Sequence, residues 1–220
     1  MATDSIQHVV SVEDGIPPLN IQSETEVFRE QGGADFTVTR NTAVVRSTGE
    51  RLQFHVASVR DGKTGAVCIA EQILPDGTSA FLLARHWRVS TRQWAWEFPR
   101  GMGADDEDSR DTAIRELSEE AGITVSRDQV KILQHIHADT GVLRDDIAVA
   151  RVLLSEEDSQ ACNPTDWELS NSRYIPASTV CQMIAGGEIT DGITLAAWSV
   201  YCAHFLLITP EFLRTFGFRP

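Results

Sequence analysis

Three glutamates lie within five residues of one another, at positions 116, 119 and 120. In an α-helix these positions are i, i+3 and i+4, so the three carboxylates project from one face. Three such charges repel one another unless a cation neutralises them, and their hard oxygens suit Mg²⁺ or Mn²⁺ better than zinc. The segment therefore predicts a divalent-cation site at Glu116, Glu119 and Glu120.

The residues around these glutamates have a defined spacing. Residues 101–123 read GMGADDEDSRDTAIRELSEEAGI. Glu107 and Arg115 are eight residues apart, which is too far for an ion pair within one helix. We therefore expect the loop before the helix to fold back, so that Glu107 and Arg115 form a brace. Gly122 suits the left-handed cap that ends a helix. A merely solvated acidic helix would leave Gly101, Arg115 and Gly122 unexplained.

At these residues the sequence resembles the Nudix hydrolases, and it matches the defining box of that family at every position. The resemblance implies an α/β/α sandwich with a mixed sheet. It also implies metal-dependent hydrolysis of a nucleoside diphosphate linked to another moiety, with water attacking a phosphorus atom. The roles that it implies are metal ligation by Glu116, Glu119 and Glu120, with Glu120 also catalytic, and structural support by Gly101, Glu107, Arg115 and Gly122.

Segments on either side of the box indicate a branch of the family. RHWRVSTRQWAWEFPRG (85–101) and GGEITDGITLAAW (186–198) resemble the ADP-ribose and nucleotide-sugar pyrophosphatase group. This resemblance implies a homodimer whose N-terminal parts help to form the site. Two features depart from that group. Arg100 stands where the group often has a small residue whose carbonyl helps to hold metal, and ADTGVLRDD (138–146) replaces a Ser-Pro-Gly after the box.

Substrate contacts are predicted in the segment before the box, at Arg85, Arg88, Trp94 and Glu97. Guanidinium groups can hold terminal phosphate or ribose oxygens, and an indole can stack on a base. Core packing explains any single one of the tryptophans 87, 94 and 96 equally well.

Charge is distributed unevenly along the chain. The 19 basic and 32 acidic residues leave a net charge of −13, and the windows 101–123 and 139–168 each carry −6. An acidic chain repels long nucleic acids and anionic membranes, which are excluded as partners. A small nucleoside diphosphate derivative remains compatible if metal ions bridge it to the site. In the group that the chain resembles, the base that deprotonates water is often a carboxylate on a loop after the box. The resemblance therefore implies a base in the acidic loop 155–168, with Glu168 favoured and Glu157 second; a merely solvated loop is the alternative.

The pattern of elements predicts a mixed α/β chain with two parts. Residues 1–60 are expected to form an N-terminal arm (1–23) and a small β element, and 61–220 the hydrolase domain. Short apolar strands surround a helix over 109–121, and two more helices follow. Four widely spaced cysteines and an N-terminus without a signal-peptide pattern predict a cytoplasmic protein.

Two other functions stay open from the sequence. The first keeps the enzyme but changes the substrate to a (d)NTP or a dinucleoside polyphosphate; the N-terminal β element argues mildly against it. The second is a non-catalytic, ligand-sensing Nudix module, whose hallmark would be loss of box carboxylates. None of those carboxylates is lost.

Overall fold

The structure, a computed structural model, describes residues 15–30, 34–155, 157–158 and 169–206. The chain divides into two compact units, 1–60 and 61–220. The strands are β1 (Leu19–Arg29), β2 (Phe36–Val45), β3 (Arg51–Val59), β4 (Thr64–Ile73), β5 (Ser79–Arg88), β6 (Gln93–Glu97), β7 (Arg100–Gly101), β8 (Val130–Ile136), β9 (Leu143–Arg144), β10 (Asp146–Leu154) and β11 (Leu169–Pro176). The helices are α1 (Ser109–Ala121), α2 (Ala177–Ala185) and α3 (Gly192–Tyr201).

In the first unit, β1, β2 and β3 pair in chain order as antiparallel strands. Strand β1 corrects the prediction of a polar arm over 1–23, since it begins at Leu19. Ten of its eleven residues are exposed, and residues 23–26 are all polar, so no sustained alternation of apolar and polar residues marks this strand in the sequence. Backbone pairing with β2, from Leu19 opposite Val45 to Arg29 opposite Thr37, defines this strand.

In the second unit, the main sheet has the order β11-β5-β4-β10-β8. Strands β4 and β10 are parallel, and the other neighbours are antiparallel. Strand β4 is buried from Gly65 to Glu71, as expected for a central strand covered on both faces. Two short strands join the sheet beside this path, β6 on β5 and β7 on β4. They lead directly into the loop before α1.

Helices cover both faces of this sheet. On one face, Ala113 and Leu117 of α1 pack against small apolar side chains of β4 and β10. On the other face, Val180 of α2 and Trp198 of α3 pack against the opposite side of the same strands. This arrangement confirms the predicted α/β/α sandwich with a mixed sheet. Within the described ranges, no helix is long and apolar enough to cross a membrane.

Candidate active site

Helix α1 is stabilised at both ends by local hydrogen bonds. Asp108 precedes it, and its Oδ1 accepts from the backbone N–H groups of Arg110 (2.9 Å) and Asp111 (3.0 Å). Gly122 follows it with a φ of 70°, and its N–H donates to the carbonyl of Ser118 (3.0 Å). These contacts are an N-cap and a left-handed C-cap, so the first and last turns are held in place.

The three glutamates of α1 lie in different environments. Glu116 is 7% exposed and faces the sheet beside Leu117. The side chain of Glu119 is 60% exposed. Glu120 is half-buried, and its Oε2 accepts a hydrogen bond from the backbone N–H of Arg100 (3.1 Å). Two of the three predicted ligands, Glu116 and Glu120, therefore face the protein interior.

Gly101 of β7 lies against the carboxylate of Glu116. A Cβ atom at position 101 would lie 2.1 Å from the carboxyl carbon and from both oxygens of Glu116. With Glu116 in this position only glycine leaves the space, because real Cβ atoms do not approach other atoms so closely. The two residues of β7 thus contact both interior carboxylates, Glu120 through the Arg100 N–H and Glu116 through the Gly101 backbone.

Burial governs the protonation of these two groups. Desolvation raises the pKa of Glu120 to about 8, although the Arg100 N–H and the charges of Arg88 and Arg100 oppose the shift. Desolvation also raises the pKa of Glu116, against the opposing charge of Arg115. Both carboxylates are therefore poorly compensated by the protein itself.

The structure brings Glu107 and Arg115 together. Arg115 Nε donates to Glu107 Oε1 (3.0 Å), and Glu107 Oε2 also accepts from the Ala104 N–H and the Thr112 hydroxyl (both 3.0 Å). Arg115 Nη2 donates in addition to the Met102 carbonyl (2.7 Å). Hydrogen bonding to Arg115 holds the pKa of Glu107 below its ordinary value. The loop between β7 and α1 is therefore folded back onto the helix.

Arg115 also lies between two of the predicted metal ligands. Its Nη1 is 2.7 Å from Glu116 Oε1 and 2.8 Å from Glu119 Oε2. In the described part of the chain, no three acidic, histidine or cysteine side chains are grouped so that they could hold a metal ion. The guanidinium supplies the positive charge between Glu116 and Glu119, so metal binding by all three glutamates stays a prediction.

The donor types nevertheless fit a divalent cation. Glu116 and Glu120 are one helical turn apart and offer hard oxygens, and burial raises the pKa of both because their protein partners only partly offset the cost of a buried charge. Mg²⁺ is usually held by one or two carboxylates together with water and substrate phosphates, not by a complete protein cage. A pair of interior carboxylates is therefore sufficient for such an ion.

A second charged group lies beside Glu120. Glu97 is fully buried, and its oxygens accept from Arg88 Nε (2.8 Å) and Nη2 (2.5 Å) and from Arg100 Nε (2.9 Å). Arg100 Nη2 also donates to Asp191 Oδ1 (3.3 Å). Burial opposes the charge of Glu97, but the two guanidinium groups outweigh it and keep the pKa of Glu97 below its ordinary value.

His86 is a buried neighbour of this group. It is 2% exposed, and its Nδ1 lies 3.4 Å from Arg88 Nη2. Burial lowers the pKa of His86 to about 4, so the ring is neutral at pH 7. Its Nε2 has no hydrogen-bond partner among the residues that the structure describes.

The four predicted substrate contacts do not form one group. Opposed residues of an antiparallel pair share a face, and along a strand the faces alternate. Arg85 opposes Trp96 and Trp87 opposes Trp94, whereas Glu97 opposes Ala84. Arg88 and Glu97 lie on the α1 face of the sheet. Arg85 and Trp94 lie on the opposite face, where the Arg85 guanidinium carbon is 5.9 Å from the Trp94 ring centre. Arg85 and Arg88 are three residues apart on β5, and an odd spacing along a strand places two side chains on opposite faces.

The candidate bases lie after β10. Glu157 is exposed in a turn, and Glu168 lies outside the described residues. Sequence reasoning missed Asp191 as part of the site. It caps α3, since its Oδ2 accepts from the Thr194 N–H (2.8 Å), and it reaches Arg100 only through the fold. The sequence signal that could have found Asp191 is its place as a helix-capping residue directly before Gly192, where α3 begins.

Comparison with known proteins places this site in a family. A NUDIX domain matches residues 62–194, which is more than half of the chain. No curated protein matches the sequence. The fold is similar to the crystal structure of an ADP compounds hydrolase, with a TM-score of 0.60 and 16% sequence identity over 90% of this chain and 98% of that one. The matched domain contains the braced loop, α1 and the interior carboxylates, and the chain therefore belongs to the Nudix hydrolase family.

Proposed function

We propose that the protein hydrolyses the pyrophosphate bond of a nucleoside diphosphate linked to a sugar, and releases a nucleoside monophosphate and a sugar phosphate. The observation that carries this proposal is the pair of interior carboxylates, Glu116 and Glu120, held against β7 on the family's helix. The similarity in fold to an ADP compounds hydrolase favours ADP-ribose as the first substrate to examine.

Mg²⁺, or Mn²⁺ in its place, is the proposed cofactor, with Glu116 and Glu120 as ligands and Glu119 as the third predicted ligand. When bound, such an ion neutralises the non-bridging phosphate oxygens and the charge that develops in the transition state. This contribution is needed because residues 101–123 carry a net charge of −6 and would repel a diphosphate.

Arg88 is the proposed protein contact for a phosphate oxygen. Two hydrogen bonds to buried Glu97 orient its guanidinium, and 28% of the side chain stays exposed. An oriented guanidinium suits the geometry of a phosphate group. Because Arg85 lies on the other face of the sheet, we assign no phosphate contact to it. Base stacking by Trp94, which lies on that same face, stays a prediction from the sequence.

Glu168 is the proposed base, with Glu157 as the alternative. The base takes a proton from water while the water oxygen forms a bond to one phosphorus atom. The bridging P–O bond breaks, and the second phosphate leaves with the electron pair. A carboxylate close to the reacting water is sufficient for this proton transfer.

Hydrolysis by the wild type and the Glu120→Gln variant tests the proposal. ADP-ribose, GDP-mannose and UDP-glucose are incubated with and without Mg²⁺, and released monophosphates are measured. We expect Glu120→Gln to lower turnover at least about 100-fold, since a neutral amide is a weaker ligand than a carboxylate for the proposed Mg²⁺. Its thermal stability should not fall, because a neutral amide replaces a carboxylate that burial disfavours. Glu188→Gln, at an exposed position after α2, is the matched control.

Three results would contradict the proposal. The first is no turnover of any of the three sugar nucleotides, and the second is full turnover by Glu120→Gln. The third is hydrolysis of dATP or a dinucleoside polyphosphate alone, which would favour the alternative substrate class. Binding of ADP-ribose without hydrolysis would favour the ligand-sensing module.

A homodimer is the proposed assembly. Strand β1 has large apolar side chains in water, with Ile21 56%, Val27 48% and Phe28 53% exposed. Strand β1 is also at the edge of its sheet, and an edge strand with exposed apolar side chains favours pairing with a second chain. A cytoplasmic location stays a prediction from the sequence.

A further inference from the structure

Arg100 is the residue of the lead-in segment that departs from the pattern of the group that this chain resembles. It lies in β7, which has only two residues and pairs with β4 through Arg100 opposite Val67 and Gly101 opposite Ala66. So short a strand has few ladder hydrogen bonds of its own. Its position must therefore depend on other contacts.

The backbone of β7 contacts both interior carboxylates. The Arg100 N–H donates to Glu120 Oε2 (3.1 Å), and Gly101 lies against the carboxylate of Glu116. A shift of β7 would consequently break the hydrogen bond to Glu120 and change the space beside the Glu116 carboxylate. The geometry of the proposed ligands thus depends on where these two residues lie.

The Arg100 side chain fastens β7 to two other elements. Its Nε and Nη2 are each 2.9 Å from Oε2 of Glu97, at the end of β6. Its Nη2 also reaches Asp191 Oδ1 (3.3 Å), in the residue that caps α3. The side chain of Arg100 is 23% exposed and that of Glu97 is fully buried, so the contact is largely shielded from water. Shielded, charge-assisted hydrogen bonds hold geometry better than exposed ones.

We infer that Arg100 is a positioning residue for the divalent cation: its side chain holds β7, and the β7 backbone then holds Glu116 and Glu120 in the arrangement that binds metal. The Arg100 guanidinium acts through the backbone of β7 and itself contacts neither metal nor substrate. The inference rests on the proposed function. It explains why a long side chain is accepted at a position where the related group often has a small one.

Metal binding without substrate is the first test. Mn²⁺ affinity is measured by titration calorimetry for the wild type, Arg100→Ala, Arg100→Lys and Asp191→Asn. Loss of a residue that orients metal ligands usually costs about 10- to 100-fold in affinity. We expect a loss of this size for Arg100→Ala, and smaller losses for Arg100→Lys and Asp191→Asn. Arg110→Ala, an exposed position on α1 with the same change of charge, should bind as the wild type does.

Steady-state kinetics is the second test. The Mg²⁺ concentration for half-maximal activity should rise about tenfold or more in Arg100→Ala. At saturating Mg²⁺, the KM for the nucleotide should stay close to that of the wild type. If Arg100 had only a structural role, its loss would lower the melting temperature without raising the Mg²⁺ requirement at an unchanged KM. Thermal unfolding is therefore recorded for each variant. If Arg100→Ala does not fold, Arg100→Lys and Asp191→Asn decide the question.

Two outcomes overturn the inference. One is wild-type Mn²⁺ affinity in folded Arg100→Ala. The other is a raised KM with unchanged metal affinity, which would make Arg100 a substrate contact. Neither affects the proposed function, because Glu120→Gln tests that separately. Absence of Mn²⁺ binding in the wild type would overturn the metal site and this inference together.

Discussion

Replacing Gly101 by alanine should displace the Glu116 carboxylate while leaving the stability of the fold almost unchanged. A Cβ atom at 101 would lie 2.1 Å from the Glu116 carboxyl group. The atoms that it meets are the far end of a flexible side chain, so the carboxylate can move away. Gly101 does not have a positive φ, and alanine fits its backbone conformation.

The size of the effect follows from this distance. Ordinary contacts between carbon atoms are about 3.5 Å or longer, so the carboxylate must move by about 1.4 Å. Misplacing a catalytic group by about 1 Å can cost about 100-fold in rate, which corresponds to about 2.7 kcal/mol in the activation barrier. The free energy of unfolding should change by less than about 1 kcal/mol, because a Gly→Ala change at a compatible position is worth only about that much.

For the wild type and each variant, kcat/KM for ADP-ribose and the free energy of unfolding in urea are measured on the same protein preparation. Gly15→Ala is the matched control, since it has no positive φ and no atom within 4 Å of the added Cβ. Wild-type activity in Gly101→Ala would show that the observed position of Glu116 is not needed. Loss of activity together with a loss of several kcal/mol in stability would show that the fold, and not one carboxylate, is disturbed.

The remaining predictions concern stability. Glu107→Ala leaves the donors of Ala104, Thr112 and Arg115 without their acceptor, and urea unfolding should show a loss of about 1–3 kcal/mol. For His86, burial lowers the folded-state pKa to about 4 from an ordinary 6.5. The unfolded chain therefore binds the proton more readily, so this contribution is complete above pH 6.5 and is lost as the pH falls towards 4. Between pH 7 and 4.5 the wild type should lose about 2 kcal/mol more stability than His86→Gln does.

Each of these two predictions has a clear contrary result. An unchanged unfolding midpoint in Glu107→Ala would mean that the loop before α1 is held without the brace, and Glu50→Ala on the exposed surface serves as the comparison. Parallel pH profiles for the wild type and His86→Gln would mean that burial does not lower the pKa of His86 in the folded protein.

Local sequence patterns predicted α1 and its surroundings well. The Gly122 cap and the pairing of Glu107 with Arg115 depend on residues within one helix and its preceding loop, where spacing largely determines contact. The mixed α/β class also followed from the alternation of apolar strands with one central helix. Strand β1 could not be predicted in this way, because almost all of its residues are exposed and no buried face gives it an apolar pattern.

Side-chain burial could not be read from the same patterns. The spacing of Glu116, Glu119 and Glu120 predicts one shared face, yet only the packing of α1 shows that Glu119 is largely exposed. The sequence predicts substrate contacts at Arg85, Arg88, Trp94 and Glu97, and the alternation of side chains along the strands divides these residues between two faces of the sheet. A helix face or a strand face becomes an interior or a surface only when another element covers it.

The sequence by itself determined helix α1, its caps, the ion pair between Glu107 and Arg115, and the acidic character of the site, since all of these lie within one short segment. Only the tertiary structure decided that Glu97 is buried between two arginines, and that Arg100 reaches Asp191 across a separation of 91 residues. No local spacing encodes such a contact, because the packing of the whole sandwich brings the two side chains together.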